Sequence, residues 1–168
     1  MSSSSLQIRL ETDGDGQVLS QLAAAAFGPG RFARTAYRVR QGIAPVAALC
    51  LAAWLDDRLV GGIRFTAIRI GEEDSAALLG PLVVDPAENG KGLGRALMEE
   101  GLSRARAEGF GLVLLVGDLP YYGRFGFVPV PFGQITLPGP VDPNRLLALE
   151  LTSGALARSV GPVKAYAR

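Results

Sequence analysis

Three glycines at alternate positions, Gly90, Gly92 and Gly94, stand with Lys91 and Arg95 between an apolar run ending in Val83-Val84-Asp85 and a long helical pattern. The chemistry this spacing allows is anion binding. The first amides of a helix have no carbonyl behind them, and the helix dipole adds partial positive charge at that end. An anion placed there satisfies them. Glycines lack a Cβ, so a phosphate can approach the backbone closely, and the two cations add charge. Asn89, Gly90, Lys91, Gly92, Leu93, Gly94 and Arg95 are therefore the candidate seat for a diphosphate. Two other glycine-rich loops do not fit. A dinucleotide fingerprint needs Gly or Ala at its sixth position, where Arg95 or Leu97 falls, and a Walker loop needs Ser or Thr after Gly-Lys, where Gly92 stands. A flexible packing turn is the bland alternative.

The chain has 168 residues and no histidine. That excludes Ser-His-Asp and Cys-His catalysis and removes the commonest zinc ligand, so no metal is expected. A general base must then be a carboxylate, a tyrosine, a lysine or water. The single cysteine, Cys50, lies in the apolar run 46–55 and reads as a small buried hydrophobe.

The elements that must position the loop follow from periodicity. Residues 6–12 alternate and read as a first strand. Residues 13–28 read as a helix with Val18, Leu22 and Ala25 or Ala26 on one face, stopped by Gly28-Pro29-Gly30. Residues 31–42 read as a second, basic helix with Phe32, Ala36 and Val39 inward and its arginines on a solvated face. Residues 46–55 and 58–70 read as strands joined through Asp56-Asp57, with a further turn at 71–75. Residues 76–85 make a fourth strand containing Gly80-Pro81, which marks a bulge or an edge strand, because proline cannot donate to a ladder. A helix over 93–109 carries Leu93, Leu97, Gly101, Leu102 and Ala105 at helical spacing and ends at Gly109. The apolar run 110–118 suits a strand buried on both faces, completing a right-handed parallel crossover. A short helix or turn over 119–127, a strand at 127–130, a Pro/Gly-rich loop over 131–144 and a strand or strand–helix over 146–156 follow. The fold class is α/β with one mixed sheet, a single domain over 1–168 behind a disordered serine leader at 1–5.

Lys plus Arg number 17 against 16 Asp plus Glu, a balance that gives no reason to expect nucleic acid or an anionic membrane as a partner. The apolar runs are too short to span a bilayer, and the N-terminus lacks a signal-peptide core, so the cytoplasm is expected.

The glycine loop resembles the core motif of the GNAT-type N-acetyltransferases, Arg/Gln-x-x-Gly-x-Gly/Ala, with Asn89 in place of the usual Arg or Gln. A second segment, Tyr121-Tyr122-Gly123-Arg124-Phe125-Gly126-Phe127, is similar to one the family carries after its fifth strand, and the chain resembles a bacterial predicted-acetyltransferase branch with a YYxRFGF-like segment. The likeness runs from about Leu6 to Val130. It implies a splayed central sheet flanked by helices, with the pantetheine arm of acetyl-coenzyme A between the fourth and fifth strands. Leu82, Val83 and Val84 would give backbone contacts to the arm, one N–H serving as oxyanion donor. It implies transfer of an acetyl group to a primary amine by direct attack in a ternary complex, without a metal. Tyr122 matches the family's general acid, and Tyr121 packs on the cofactor or the core. Glu72, Glu73, Asp85 and Asp118 are the carboxylates that could take the amine's proton through water; the first two read as solvated and Asp118 also as a helix cap. Family members often form homodimers. A non-catalytic acyl-coenzyme A sensor and an unrelated nucleotide-binding protein are the alternatives.

Overall fold

The computed structural model describes residues 5–27 and 35–167. The leader before Ser5, the stop at Gly28-Pro29-Gly30 and Phe32 lie outside the described residues. In chain order the elements are β1 (Leu6–Leu10), α1 (Asp15–Phe27), α2 (Thr35–Arg40), β2 (Leu51–Leu55), β3 (Arg58–Ile70), β4 (Glu73–Val84) and α3 (Leu93–Ala107). Then come β5 (Leu112–Val116), α4 (Leu119–Tyr122), β6 (Val128–Pro129), β7 (Ile135–Thr136), β8 (Leu146–Glu150), α5 (Ala155–Arg158) and β9 (Gly161–Ala165). The sheet order is β1-β2-β3-β4-β5-β8-β6, with β9 on β3 and β7 on β9. β4–β5 and β7–β9 are parallel and the other pairs antiparallel, so the sheet is mixed.

Alternation splits the core between the two faces. Ala77, Leu79, Val113 and Leu115 face α3, packing with Leu93, Leu97, Met98 and Phe65. Ala76, Leu78, Leu112 and Leu114 face the other way, where Val39 and Ala36 of α2 cover them. α3 is bounded by backbone chemistry. Gly92 caps it at φ 80°, and past Glu108 the chain turns at Gly109, φ 89°. The Phe110 N–H reaches the Ala105 carbonyl (3.1 Å) and the Gly109 N–H the Arg106 carbonyl (3.1 Å), closing the helix with a Schellman motif.

Four expectations change. The buried face of α1 is Leu19 and Ala23; Val18 is exposed and Leu22 only half-buried. Leu19 seats directly on Gly62 of β3, where a Cβ would lie 2.7 Å from its Cδ2. Residues Ala47–Leu49 form a 3-10 turn before β2 rather than the start of the strand. β4 begins at Glu73, inside the expected turn. The stretch read as loop contains β7, and β9 was not foreseen; both are short and lack alternation, and β9 forms because β3 runs on past β2 and leaves Ile68–Ile70 to be paired.

Gly80-Pro81 resolves as a bulge inside a central strand. Ile63 pairs with Leu82 and Phe65 with Leu79, so β4 carries one residue more than β3 across this stretch. On its other edge β4 pairs with β5 only at Ala76–Leu112, Ala77–Val113 and Leu78–Leu114. Beyond Leu78 the two strands part. Among the described residues, no helix is long and apolar enough to cross a membrane.

The fit of α3 on the sheet is close at Gly101, where a Cβ would stand 2.8 Å from the fully buried Phe65 ring. Gly101→Leu is expected to cost about 1–3 kcal/mol through overpacking, read as a lower urea midpoint with an unchanged slope.

Candidate active site

β4 ends where the Asp85 N–H donates to the Val60 carbonyl (2.7 Å). A 3-10 turn over Pro86–Glu88 follows, capped by the Asp85 side chain, which accepts from the Ala87 N–H (3.0 Å). Glu88 turns inward and receives Lys91 Nζ (2.6 Å) and an Arg58 nitrogen. Lys91 and then Arg58 hold its carboxyl below the usual carboxylate range. Asn89 is exposed, with its N–H on the Pro86 carbonyl (3.2 Å).

Gly90 and Gly92 follow at φ 82° and 80°, a left-handed conformation that favours glycine, and no heavy atom lies within 4 Å of where either Cβ would stand. The Ala96 N–H is the first to bond back, to the Gly92 carbonyl (3.0 Å), so the amides of Leu93, Gly94 and Arg95 have no helical carbonyl behind them. Leu93 buries its side chain in the core, which fixes the helix start. Gly94 lies under the Tyr121 hydroxyl, 2.6 Å from the position of a Cβ. The two cations nominated with the loop have carboxylate partners: Lys91 has Glu88, and Arg95 donates to Glu99 (2.9 Å). The amides and the dipole are the part of this seat not already paired.

The sequence reading grouped Leu82, Val83 and Val84, and the pleat separates them. Asp85 turns its N–H to β3, so by alternation Val83 does too, and the Val83 carbonyl lies against Gly61 of β3. Leu82 and Val84 direct their backbone groups to the opposite edge, where β5 has left.

The parting opens a cleft of about 830 Å³ with Leu79–Val83, Leu115–Gly117 and Tyr122 on the sheet side. Helices α1 and α2, the segment 41–45, β3 from Gly62 to Thr66, Asp118 and residues 140–142 and 145 contribute to the rest of the wall. This is the size of an ordinary small-molecule site. Tyr122 packs its ring on Gly117, where a Cβ would come 2.4 Å from Cε2, and meets Tyr121 and Phe127 edge-on at 4.8 and 6.0 Å. Burial, then the neighbouring Tyr121 and Asp118, push its phenol up to about 12. The hydroxyl therefore stays protonated across the working range of pH.

Of the four carboxylates nominated, Asp118 lines the cleft. It makes no side-chain cap to α4 and instead pairs with Arg145 at 3.4 Å, so the capping role does not hold. Asp85 is held by Arg58 (3.1 Å), Glu73 accepts from Ser75 Oγ (2.8 Å), and Glu72 is exposed. Cys50 is buried outside the cleft, its Sγ donating to the Val46 carbonyl (3.3 Å). Burial, then Glu11, push the thiol up to about 11. Sequence reasoning missed Gly117, whose only signal was its place just before the tyrosine segment. It also missed Arg40 and the Arg64–Glu11 pair, which no local pattern marks, and Arg40 departs from the solvated face expected of the second helix.

Fold and site together define an α/β domain whose sheet parts beside an open helix N-terminus. The sequence profile described as the acetyltransferase (GNAT) family matches residues 18–127. The chain belongs to that family. It is 32% identical over 118 residues to the uncharacterised N-acetyltransferase YjhQ of Escherichia coli K12, a match covering 68% of this chain and 65%, just under two thirds, of that protein. It is 30% identical over 122 residues to the uncharacterised N-acetyltransferase YhbS of the same organism, covering 71% of this chain and 72% of YhbS. The crystal structure of Escherichia coli YhbS in complex with CoA superposes with a TM-score of 0.84 at 25% identity, over 99% of this chain and 92% of that one. A GNAT family acetyltransferase from Brucella melitensis in complex with acetyl-CoA superposes at 0.64 with 31% identity, over 88% and 97%.

The state of Cys50 is directly measurable. Iodoacetamide at pH 8 should label the native thiol about 10²-fold more slowly than a free cysteine, with the full rate returning in denaturant.

Proposed function

We propose that this chain transfers an acetyl group from acetyl-coenzyme A to a primary amine, by direct attack of the amine on the thioester in a ternary complex. The observation that carries this is the parting of β4 and β5 between an open set of helix-start amides and a protonated tyrosine. Support comes from the YhbS and Brucella structures, which hold CoA and acetyl-CoA. The cosubstrate supplies an activated acyl group and a thiolate leaving group.

The chain's residues have distinct tasks in this reading. The amides from Gly90 to Arg95 receive the diphosphate, and the unobstructed faces of Gly90 and Gly92 let it come close. Arg95 exchanges its exposed pairing with Glu99 for phosphate at little cost, since surface ion pairs are weak, while Lys91 stays close to the loop on the inward-turned Glu88. Asn89 sets the turn through its backbone bond to Pro86. Leu82 and Val84 pair with the pantetheine arm, one N–H facing the thioester oxygen as charge develops there. Val83 fastens the same stretch to β3.

Tyr122 donates to the departing sulfur. A phenol near 12 is a weaker acid than an ordinary thiol near 8.5. Desolvation in the cleft would raise a thiol in the same direction, which narrows the gap. Asp118, acting through water, is the nominated carboxylate placed to take the amine's proton.

Assay of thiol release against a panel of amines tests the whole reading; an acyl-coenzyme A sensor would bind without turnover. Tyr122→Phe should lower turnover by about 10²-fold while leaving the calorimetric Kd for acetyl-coenzyme A nearly unchanged. Unaltered turnover would remove Tyr122 from the chemistry. Gly92→Asp should abolish cosubstrate binding by forcing φ 80° on a side chain and setting a carboxylate in the phosphate seat. Gly94→Asp should do the same and also displace Tyr121. Retained binding in both would reject the loop as the diphosphate site.

A further inference from the structure

The cleft holds a cation that makes no ion pair among the described residues. Arg40, at the end of α2, is partly buried in the cleft wall and aims its guanidinium at the β4 bulge. Its Nη1 lies 2.7 Å from where a Cβ on Gly80 would be, so any side chain at position 80 would push it away. Gly80, at φ 141°, thus serves both the bulge and this approach.

The other cations around the site are paired. Arg64 gives Nε to Glu11 Oε2 (2.9 Å) and a second nitrogen to Oε1, and Arg145 meets Asp118. Asp142 also lines the cleft, and its Oδ1 accepts from the Asn144 N–H (2.9 Å). Among the described residues no carboxylate pairs with Arg40. Its neighbours are the Tyr37 ring, 5.9 Å away, and the like charge of Arg64. Burial first, opposed by Tyr37 and aided by Arg64, pulls the guanidinium down to about 10, still a cation at neutral pH. Arg64 already holds Glu11 and Arg145 holds Asp118, so Arg40 is the cleft arginine left without an ion-pair partner among the described residues. A buried unpaired charge is costly, and a ligand that brings the counter-charge recovers the cost.

The cosubstrate does not supply it. In the reading above its diphosphate sits at residues 89–95, none of which lines the cleft, its ribose phosphate lies on the far side of that diphosphate, and the pantetheine arm is uncharged. We propose that the acceptor carries a carboxylate as well as its amine, and that Arg40, seated on Gly80 and supported by Arg64, receives that carboxylate. A planar guanidinium takes a carboxylate through two parallel hydrogen bonds. One unmatched positive charge calls for a singly charged anion, which favours a carboxylate over a phosphate. The acceptor class is a small amino acid or aminocarboxylate. This rests on the transferase reading and adds the substrate class to it.

The test compares matched acceptors on the full chain: glycine, β-alanine, γ-aminobutyrate and glutamate, their carboxamides, and aminoalkylphosphonates of equal length. The best carboxylate should exceed its amide by about 10²-fold in kcat/KM, the scale expected for a charge-paired hydrogen bond in a desolvated site. Arg40→Gln should bring the two within about threefold, and Arg40→Lys should keep part of the preference. The Kd for acetyl-coenzyme A should not move in either variant. Arg40→Gln removes an uncompensated charge and should fold at least as stably, which a thermal midpoint checks. An amide used as well as its acid, a preference that survives Arg40→Gln, or a preferred phosphonate overturns the proposal. If no amine turns over, the transferase reading has failed separately. The carboxylate site is then read by titrating the N-acetyl derivatives of the same acids and amides into the coenzyme A complex. Binding of the acids that is lost in Arg40→Gln supports it, and equal or absent binding overturns it.

Discussion

Strand β4 is laced to β3 along most of its length but to β5 over only three residue pairs, and most of the site follows from that mismatch. The extra residue at Gly80-Pro81 re-aims the strand, and Pro81 has no N–H to give to a ladder. Backbone groups of Leu82 and Val84 are left facing a gap. Buried N–H and C=O groups must find partners, so a gap of this kind is a request for an extended, hydrogen-bonding ligand. An uninterrupted β4–β5 ladder would satisfy those groups internally and close the cleft.

Desolvation then acts on each ionisable group in the same sense, toward its neutral form. It raises Tyr122 and Cys50 and lowers Arg40. For Tyr122 this keeps a proton available. For Cys50 it removes a rival nucleophile. For Arg40 it acts on a guanidinium that makes no ion pair among the described residues. The loop at 89–95 lies at the solvent side, where the helix-start amides are open and the side-chain cations are already paired.

Packing joins two segments that sequence shows only as separate motifs. The Tyr121 hydroxyl rests on Gly94, the third glycine of the loop, while Tyr122 rests on Gly117 at the end of β5. Each tyrosine needs a glycine beneath it. The glycine loop and the tyrosine segment are thereby held in register through side-chain contact across α3 and β5.

The sequence by itself determined what backbone chemistry and short-range periodicity decide. That includes α3 with both its glycine ends, β5, the oddity at Gly80-Pro81, the open loop and the tyrosine segment, because each is specified by residues within a turn or two of one another. It also includes the family, since two motifs at a set separation suffice. Only the tertiary structure chose the bulge over the edge strand, since that depends on whether β5 arrives on the far side of β4. It likewise set the inward face of α1, which is Leu19 because Gly62, far along the chain, leaves room for it. It paired Arg58 with Glu88, took Asp118 away from capping to Arg145, and set Arg40 against Gly80. Ion pairing and desolvation are properties of neighbours in space, and those neighbours lie tens of residues apart along the chain.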